Sequence, residues 1–253
     1  MNFVDYSDIG FQAFEKSLKQ TEIIARKKEV IDQVIQHYRT RVESVLFIGF
    51  NPAALDMKNS RLFFTQVSDS AKTALSAQGN YTFLEWDDIV GNHEKFDLVV
   101  AVDEFLTFAE TELEQQQNIS KLCGLSRGVV ITTLRDYKNL DFKDREFSSP
   151  ALVRTTDGSR IFLEHHEYDA TDRNAWQRTV YQIENQDLKS FAGFQCRNMF
   201  FKQCAKFSID AGARDFLVHN NIMYKGIIKK NYEHVISMRF FKNGRYQSSR
   251  QYS

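Results

Sequence analysis

Residues 45–48, Val-Leu-Phe-Ile, form an apolar run without polar alternation and lead straight into Gly49-Phe50-Asn51-Pro52. Such a run suits a strand covered on both faces, which requires a sheet with helices packed on either side. Glycine and asparagine in the following turn let the backbone take a positive φ and come close to a bound ligand. A second run at 96–102, Phe-Asp-Leu-Val-Val-Ala-Val, and a third at 128–133 have the same character.

Helical spacing fills the gaps between these runs. Apolar residues from Ile9 to Tyr38 recur with helical periodicity, predicting two helices within 8–39 or one broken near Gln20-Thr21. Residues 61–67 read as a strand, Ser68-Asp69-Ser70 as a capped turn, and 71–78 as a helix. Residues 81–86 read as a further strand and 110–122 as a helix. Strands and helices alternating at this spacing predict a doubly wound, mostly parallel α/β sheet of seven strands with helices on both faces. Between 141 and 190 the pattern changes to strand-like segments at 151–155, 160–168 and 179–184, with the hairpin pair Asp157-Gly158 between the first two. A β-rich insertion is expected there. A helix over 199–209, stopped at Ala211-Gly212, then leads to two final strands at 215–218 and 234–240.

The chain of 253 residues is therefore expected to be one domain. Residues 1–40 supply N-terminal helices, 41–140 the ligand-binding half, 141–190 the insertion, 191–240 the last helix and strand pair, and 241–253 a tail. Lys plus Arg and Asp plus Glu number 33 each, so overall charge gives no argument for nucleic acid or membrane binding. Basic residues do gather from 221 to 253, where a solvated face is the ordinary explanation and an anionic partner the alternative. Three cysteines, Cys123, Cys196 and Cys204, without a C-x-x-C pair argue against a disulfide framework and against a thiolate metal site. The early acids Asp5 and Asp8 do not fit a secretory leader, and no apolar run approaches the ~20 residues of a membrane span. A cytoplasmic protein is the expectation.

The element order, the glycine turn after the first strand, acids after the second and third, and Ala211-Gly212-Ala213 before the last strand pair resemble the class I S-adenosylmethionine-dependent methyltransferases over about residues 40–240. That family's turn usually reads acid-x-Gly-x-Gly-x-Gly. Here Gly49 keeps the first glycine, Phe47 stands at the acid's place, and Asn51 and Ala53 stand for the other glycines. The resemblance implies S-adenosylmethionine as cofactor, with Gly49, Asn51 and Ala53 shaping its turn and Asp69 at the ribose hydroxyls. It also places Asp87 or Asp88 near the adenine and Asp103 near the reacting methyl. A carboxylate suits vicinal hydroxyls because it accepts two charge-assisted hydrogen bonds. Each acid also has a plain reading as a helix cap or strand end.

The implied reaction is methyl transfer to an acceptor, more readily a small molecule, with a nucleic acid or protein acceptor allowed by the basic C-terminal region. Direct displacement needs alignment and desolvation rather than a covalent nucleophile. No catalytic residue is singled out; Glu104, Tyr137, His165 and His166 are the candidate bases if the acceptor is protonated. His165 and His166 are adjacent on a strand, point to opposite faces, and so do not form a joint metal site. Glu104, Tyr168 and Trp176 are the candidate substrate contacts, the last two on an insertion expected to cover the acceptor. Two other readings stand beside this one. The altered glycine turn suits a non-catalytic structural or interaction module, and Gly49-Phe50-Asn51-Pro52 is also similar to the Gly-x-Asn-Pro turn of mismatch-type uracil-DNA glycosylases.

Overall fold

The computed structural model describes residues 3–102, 105–135, 145–147, 151–155, 158–184, 187–219 and 233–240. Its first sheet has seven strands: β1 (Ser44–Ile48), β2 (Arg61–Thr65), β3 (Thr82–Phe83), β4 (Phe96–Ala101), β5 (Ser126–Arg135), β11 (Asp215–His219) and β12 (Glu233–Arg239). They lie in the order β11-β12-β5-β4-β1-β2-β3. The five strands from β3 to β5 pair in parallel, and β12 and β11 close the edge antiparallel. This is the doubly wound, mostly parallel sheet expected from the apolar runs.

The central strand β1 is buried at every residue and alternates between two cores. Val45 and Phe47 join the side built with α1 (Phe3–Glu15), α2 (Gln20–Tyr38) and α3 (Asp69–Ser76). Leu46 and Ile48 join the side built with α4 (Trp86–Gly91), α5 (Glu112–Leu125) and α6 (Phe201–Asp210). An apolar strand without alternation needs such cover because each face would otherwise expose its side chains to water.

The amino-terminal edge of the sheet is clamped by Asp97. Its Oδ2 accepts from the Glu43 and Ser44 backbone N–H groups at 3.0 and 2.9 Å, and its Oδ1 accepts from Arg127 Nε at 2.6 Å. Burial alone would raise this carboxyl, but the Arg127 and backbone donors outweigh it and hold it low. A Cβ on neighbouring Gly128 would lie 2.1 Å from the Asp97 carbonyl oxygen, a backbone atom that cannot turn aside. Gly128→Ala is expected to destabilise the protein by about 3 kcal/mol in urea denaturation, the upper part of the usual overpacking range.

A second, antiparallel sheet contains β6 (Arg145–Phe147), β7 (Ala151–Thr155), β8 (Gly158–Tyr168), β9 (Ala175–Glu184) and β10 (Asp187–Arg197). Thr155 pairs with Gly158, the register expected of a hairpin at that glycine, although Asp157 lies outside the described residues. Trp176, Val180, Phe194 and Cys196 form its core, and Tyr6 and Ile9 of α1 pack against it.

Three local expectations change. The first helix begins at Phe3 rather than at residue 8, because Phe3, Phe11 and Phe14 all find buried positions. The strand expected over 81–86 shrinks to Thr82–Phe83, and Trp86-Asp87-Asp88 instead open α4. The insertion gains β10, which carries it past residue 190 to Arg197. No helix among the described residues is long and apolar enough to cross a membrane.

Candidate functional site

The carboxyl ends of β1 and β2 meet at Gly49. Its N–H donates to the Thr65 carbonyl at 2.9 Å and its φ is +78°, a left-handed value that glycine takes without a Cβ penalty. Asn51, 3% exposed, caps the 3₁₀ turn Pro52–Asp56 by accepting from the Ala53 N–H at 2.9 Å. Its side chain serves the turn's own backbone. Ala53 is fully buried. The turn therefore keeps its shape with one glycine because Asn51 is extended (φ −133°) and needs no positive φ.

Helix α1 lies across this turn. Ser7 Oγ accepts from the Phe50 N–H at 2.6 Å, and Asp8 Oδ1 accepts from the Ser68 and Ser70 hydroxyls at the start of α3. A Cβ on Gly49 would lie 2.6 Å from a Phe3 ring carbon and 2.9 Å from Ser7 Oγ. Phe3 is held there by edge contacts to Phe105 and Phe108, with ring centroids 5.0 and 5.2 Å away. At the end of β2, Thr65 Oγ1 is buried without a hydrogen-bond partner.

The acids expected at the strand ends are dispersed around this centre. Asp69 opens α3 with a side chain 98% exposed and pairs with Lys72 at 3.3 Å. Lys72 also reaches Glu85 at 3.4 Å, which draws α3 toward the start of α4, where Asp87 and Asp88 are exposed in the first turn. The residue directly after β2 is Gln66, with a φ of +56°. Asp103, Glu104 and Tyr137 lie outside the described residues.

A charged group, with Arg178 and His166 buried and Glu164 half-buried, joins α1 to the second sheet. Glu164 Oε1 accepts from the Tyr6 hydroxyl at 3.0 Å, while its Oε2 lies 3.2 Å from His166 Nε2 and 3.7 Å from Arg178 Nε. The Arg178 guanidinium is fully buried and sits 5.0, 5.5 and 4.8 Å from the ring centres of Tyr6, Phe108 and Trp176. Burial alone would raise Glu164, but Arg178, the His166 hydrogen bond and the Arg135 charge outweigh it and hold the carboxyl well below its ordinary range. His166 is lowered, first by burial and then by the Arg178 and Arg135 charges against the opposing pull of Glu164.

Of the expected substrate contacts, Tyr168 and Trp176 face each other across β8 and β9 with ring centroids 6.0 Å apart. Trp176, 2% exposed, is part of the second sheet's core, with its Nε1 buried and without a hydrogen-bond partner. Sequence reasoning missed Tyr6, Ser7, Asp8, Glu164 and Arg178. Glu164, His166 and Tyr168 were legible as one face of a strand by their spacing of two; nothing local marks the α1 residues. The three cysteines are buried thiols, and burial pushes Cys123 up to about 12.

No protein-family model matches the chain, and no curated protein matches it in sequence. Solved structures do match in fold. An S-adenosylmethionine-dependent methyltransferase from Clostridium acetobutylicum superposes with a TM-score of 0.64 at 11% identity, covering 89% of this chain and 95% of its own. CalS10, an amino pentose methyltransferase from Micromonospora echinaspora in a form with S-adenosylmethionine bound, gives 0.63 at 10% identity over 92% and 95%. The sugar N-methyltransferase KedS8 from Streptoalloteichus gives 0.64 at 11% over 93% and 92%. With its strand order, its glycine turn after β1 and these superpositions, the chain has the fold of the class I S-adenosylmethionine-dependent methyltransferases.

Proposed function

We propose that the chain is an S-adenosylmethionine-dependent methyltransferase acting on a small-molecule acceptor. The observation that carries the reading is the turn at Gly49, at the carboxyl end of the central parallel strand. Open parallel sheets hold ligands at that edge. The small-molecule acceptor rests on the amino pentose and sugar N-methyltransferases of the same fold.

The backbone fits the cofactor, while α1 competes with it. Gly49 leaves room that a Cβ would fill, and the Phe50 N–H and the Ser68 and Ser70 hydroxyls are polar groups that α1 satisfies through two removable side chains, Ser7 and Asp8. A cofactor seated on Gly49 needs the Phe3 end of α1 to withdraw. S-adenosylmethionine would supply the sulfonium methyl; the chain's task is to bind it, align it and exclude water. Glu164 and His166 then provide the polar wall facing α1, and a neutral His166 suits taking a proton from an acceptor amine or hydroxyl.

Calorimetric titration with S-adenosylmethionine tests the reading. Binding with Kd of about 10–100 µM, weakened by Asp69→Ala, supports it. The filled groove favours one rival, a non-catalytic module in which α1 is a permanent part of the core; that rival predicts no binding up to about 1 mM even with α1 weakened.

The second sheet, expected to cover the acceptor, gives a separate test. Deleting residues 151–184 should abolish turnover and leave cofactor affinity within about threefold, a change of under ~1 kcal/mol; equal loss of both would make the sheet structural.

A further inference from the structure

The two faces of the second sheet differ. Trp176, Arg178 and Val180 of β9 point to the buried face, so the alternate residues Tyr181 and Ile183 point away from it. Strand register carries that outer face across the sheet: Leu152 of β7 pairs with Ile161 of β8, Ile161 with Ile183 of β9, and Ile183 with Leu188 of β10. One aliphatic row therefore crosses four strands, with Leu152 60% and Leu188 63% exposed at its ends. Leu163 and Tyr181 pair in the next row of the same face. Among the described residues, none of these six belongs to a core. Lone exposed leucines are ordinary, whereas a contiguous apolar patch marks an interaction surface.

We propose that this face pairs with the same face of a second copy of the chain, about a two-fold axis that runs along the strands between β8 and β9.

The pattern of the face argues for a second copy over a different protein, because an isologous interface needs a surface complementary to itself. Rotation about that axis reverses the strand order and keeps each row. It lays Leu152 against the partner's Leu188, Ile161 against the partner's Ile183, and Leu163 against the partner's Tyr181. The charged positions of the face are matched as well. By register, Glu167 meets the partner's Gln177, Arg145 the partner's Gln195, and His165 the partner's Thr179. Arg154 pairs with Ser159, one residue beyond the row in which β9 ends and β10 begins, so it opposes no strand. No like charges are brought together.

The area is sufficient. With strands about 4.8 Å apart and about 3.4 Å per residue, four strands by the 10 residues of β9 present about 650 Å² in projection. Side-chain relief brings this near the ~800 Å² per partner of a standard interface. Two such sheets packed face to face, about 10 Å apart, form a sandwich with the aliphatic rows as its core.

This inference does not rest on methyl transfer, and S-adenosylmethionine titration reports on that reading separately. Sedimentation equilibrium of the full chain at about 1–100 µM is the test, and a dimer is the expected result. Leu152→Glu with Leu188→Glu sets like charges against each other across the axis. It should weaken association about a hundredfold or more and leave a monomer with an unchanged circular dichroism spectrum. Leu152→Lys with Leu188→Glu sets opposite charges at the same contacts and should associate about tenfold or more tightly than the paired glutamates. Within one chain the two positions are three strands apart, about 14 Å, so this rescue reports a contact between copies. Leu113→Glu, at an equally exposed leucine on α5, should leave the dimer intact. A monomer at about 100 µM, a dimer that survives the paired glutamates, or no rescue by the opposite charges would each overturn the proposal.

Discussion

Phe3→Ala is expected to raise the affinity for S-adenosylmethionine by about tenfold to a hundredfold, measured by calorimetry against the unsubstituted chain. Phe3 is 5% exposed, stacks by its edge on Phe105 and Phe108, and fills the space over Gly49. Burying such a side chain contributes about 1.5–3 kcal/mol to keeping α1 docked. If docked α1 and bound cofactor exclude each other, apparent affinity is the intrinsic affinity scaled by the undocked fraction, so every ~1.4 kcal/mol lost from docking tightens binding tenfold until the undocked form dominates. Ser7→Ala should act in the same direction and less strongly, because it leaves the Phe50 N–H buried without its acceptor only while α1 stays in place. A weaker or unchanged affinity in Phe3→Ala would show that α1 does not compete with the cofactor, and would move the reading toward a permanently filled fold.

This competition explains why the turn was legible in the sequence and its occupant was not. Val45 to Ile48 followed by Gly49 is a local signal: uniform burial and a positive φ are both set by neighbouring residues. The same is true of Phe96 to Ala101, which falls on β4 as expected. By contrast, Ser7 meets Phe50 across 43 positions and Tyr6 meets Glu164 across 158, and no periodicity encodes those contacts. Asp69 illustrates the limit from the other side. Ser68-Asp69-Ser70 correctly marked a helix start, with Ser68 accepting from the Ala71 N–H, but a first-turn acid favours the helix whether or not a ligand lies nearby. Trp86 misled because an aromatic residue after Phe83 and Leu84 suits a strand, whereas Asp87 and Asp88 stabilise the first turn of a helix and won.

Glu164→Gln should destabilise the protein by about 3 kcal/mol, seen as a fall in Tm of about 10 °C. The substitution keeps the shape of the side chain but removes a carboxylate 3.7 Å from Arg178, which is fully buried among Tyr6, Phe108 and Trp176. A carboxylate beside a buried guanidinium offsets part of its desolvation, so removing the carboxylate costs stability. The double substitution Glu164→Gln with Arg178→Met should cost less than the sum of the two single substitutions; an additive loss would show that the two side chains are not coupled. The pH response has a definite sign. Both groups titrate lower in the folded chain than when unfolded, so the unfolded chain binds more protons and stability falls with acid. The His166 share is complete above its unfolded value of about 6.5 and is lost as pH falls below it; the Glu164 share is complete above about 4.5 and is lost below that. In Glu164→Gln the second loss should vanish. The first should steepen, because His166 loses its hydrogen bond to the Glu164 carboxylate, which had been raising its affinity for a proton. A Tm that stays flat between pH 7.5 and pH 5, from about 1 unit above the imidazole's value to about 1.5 below it, would contradict a neutral, buried His166.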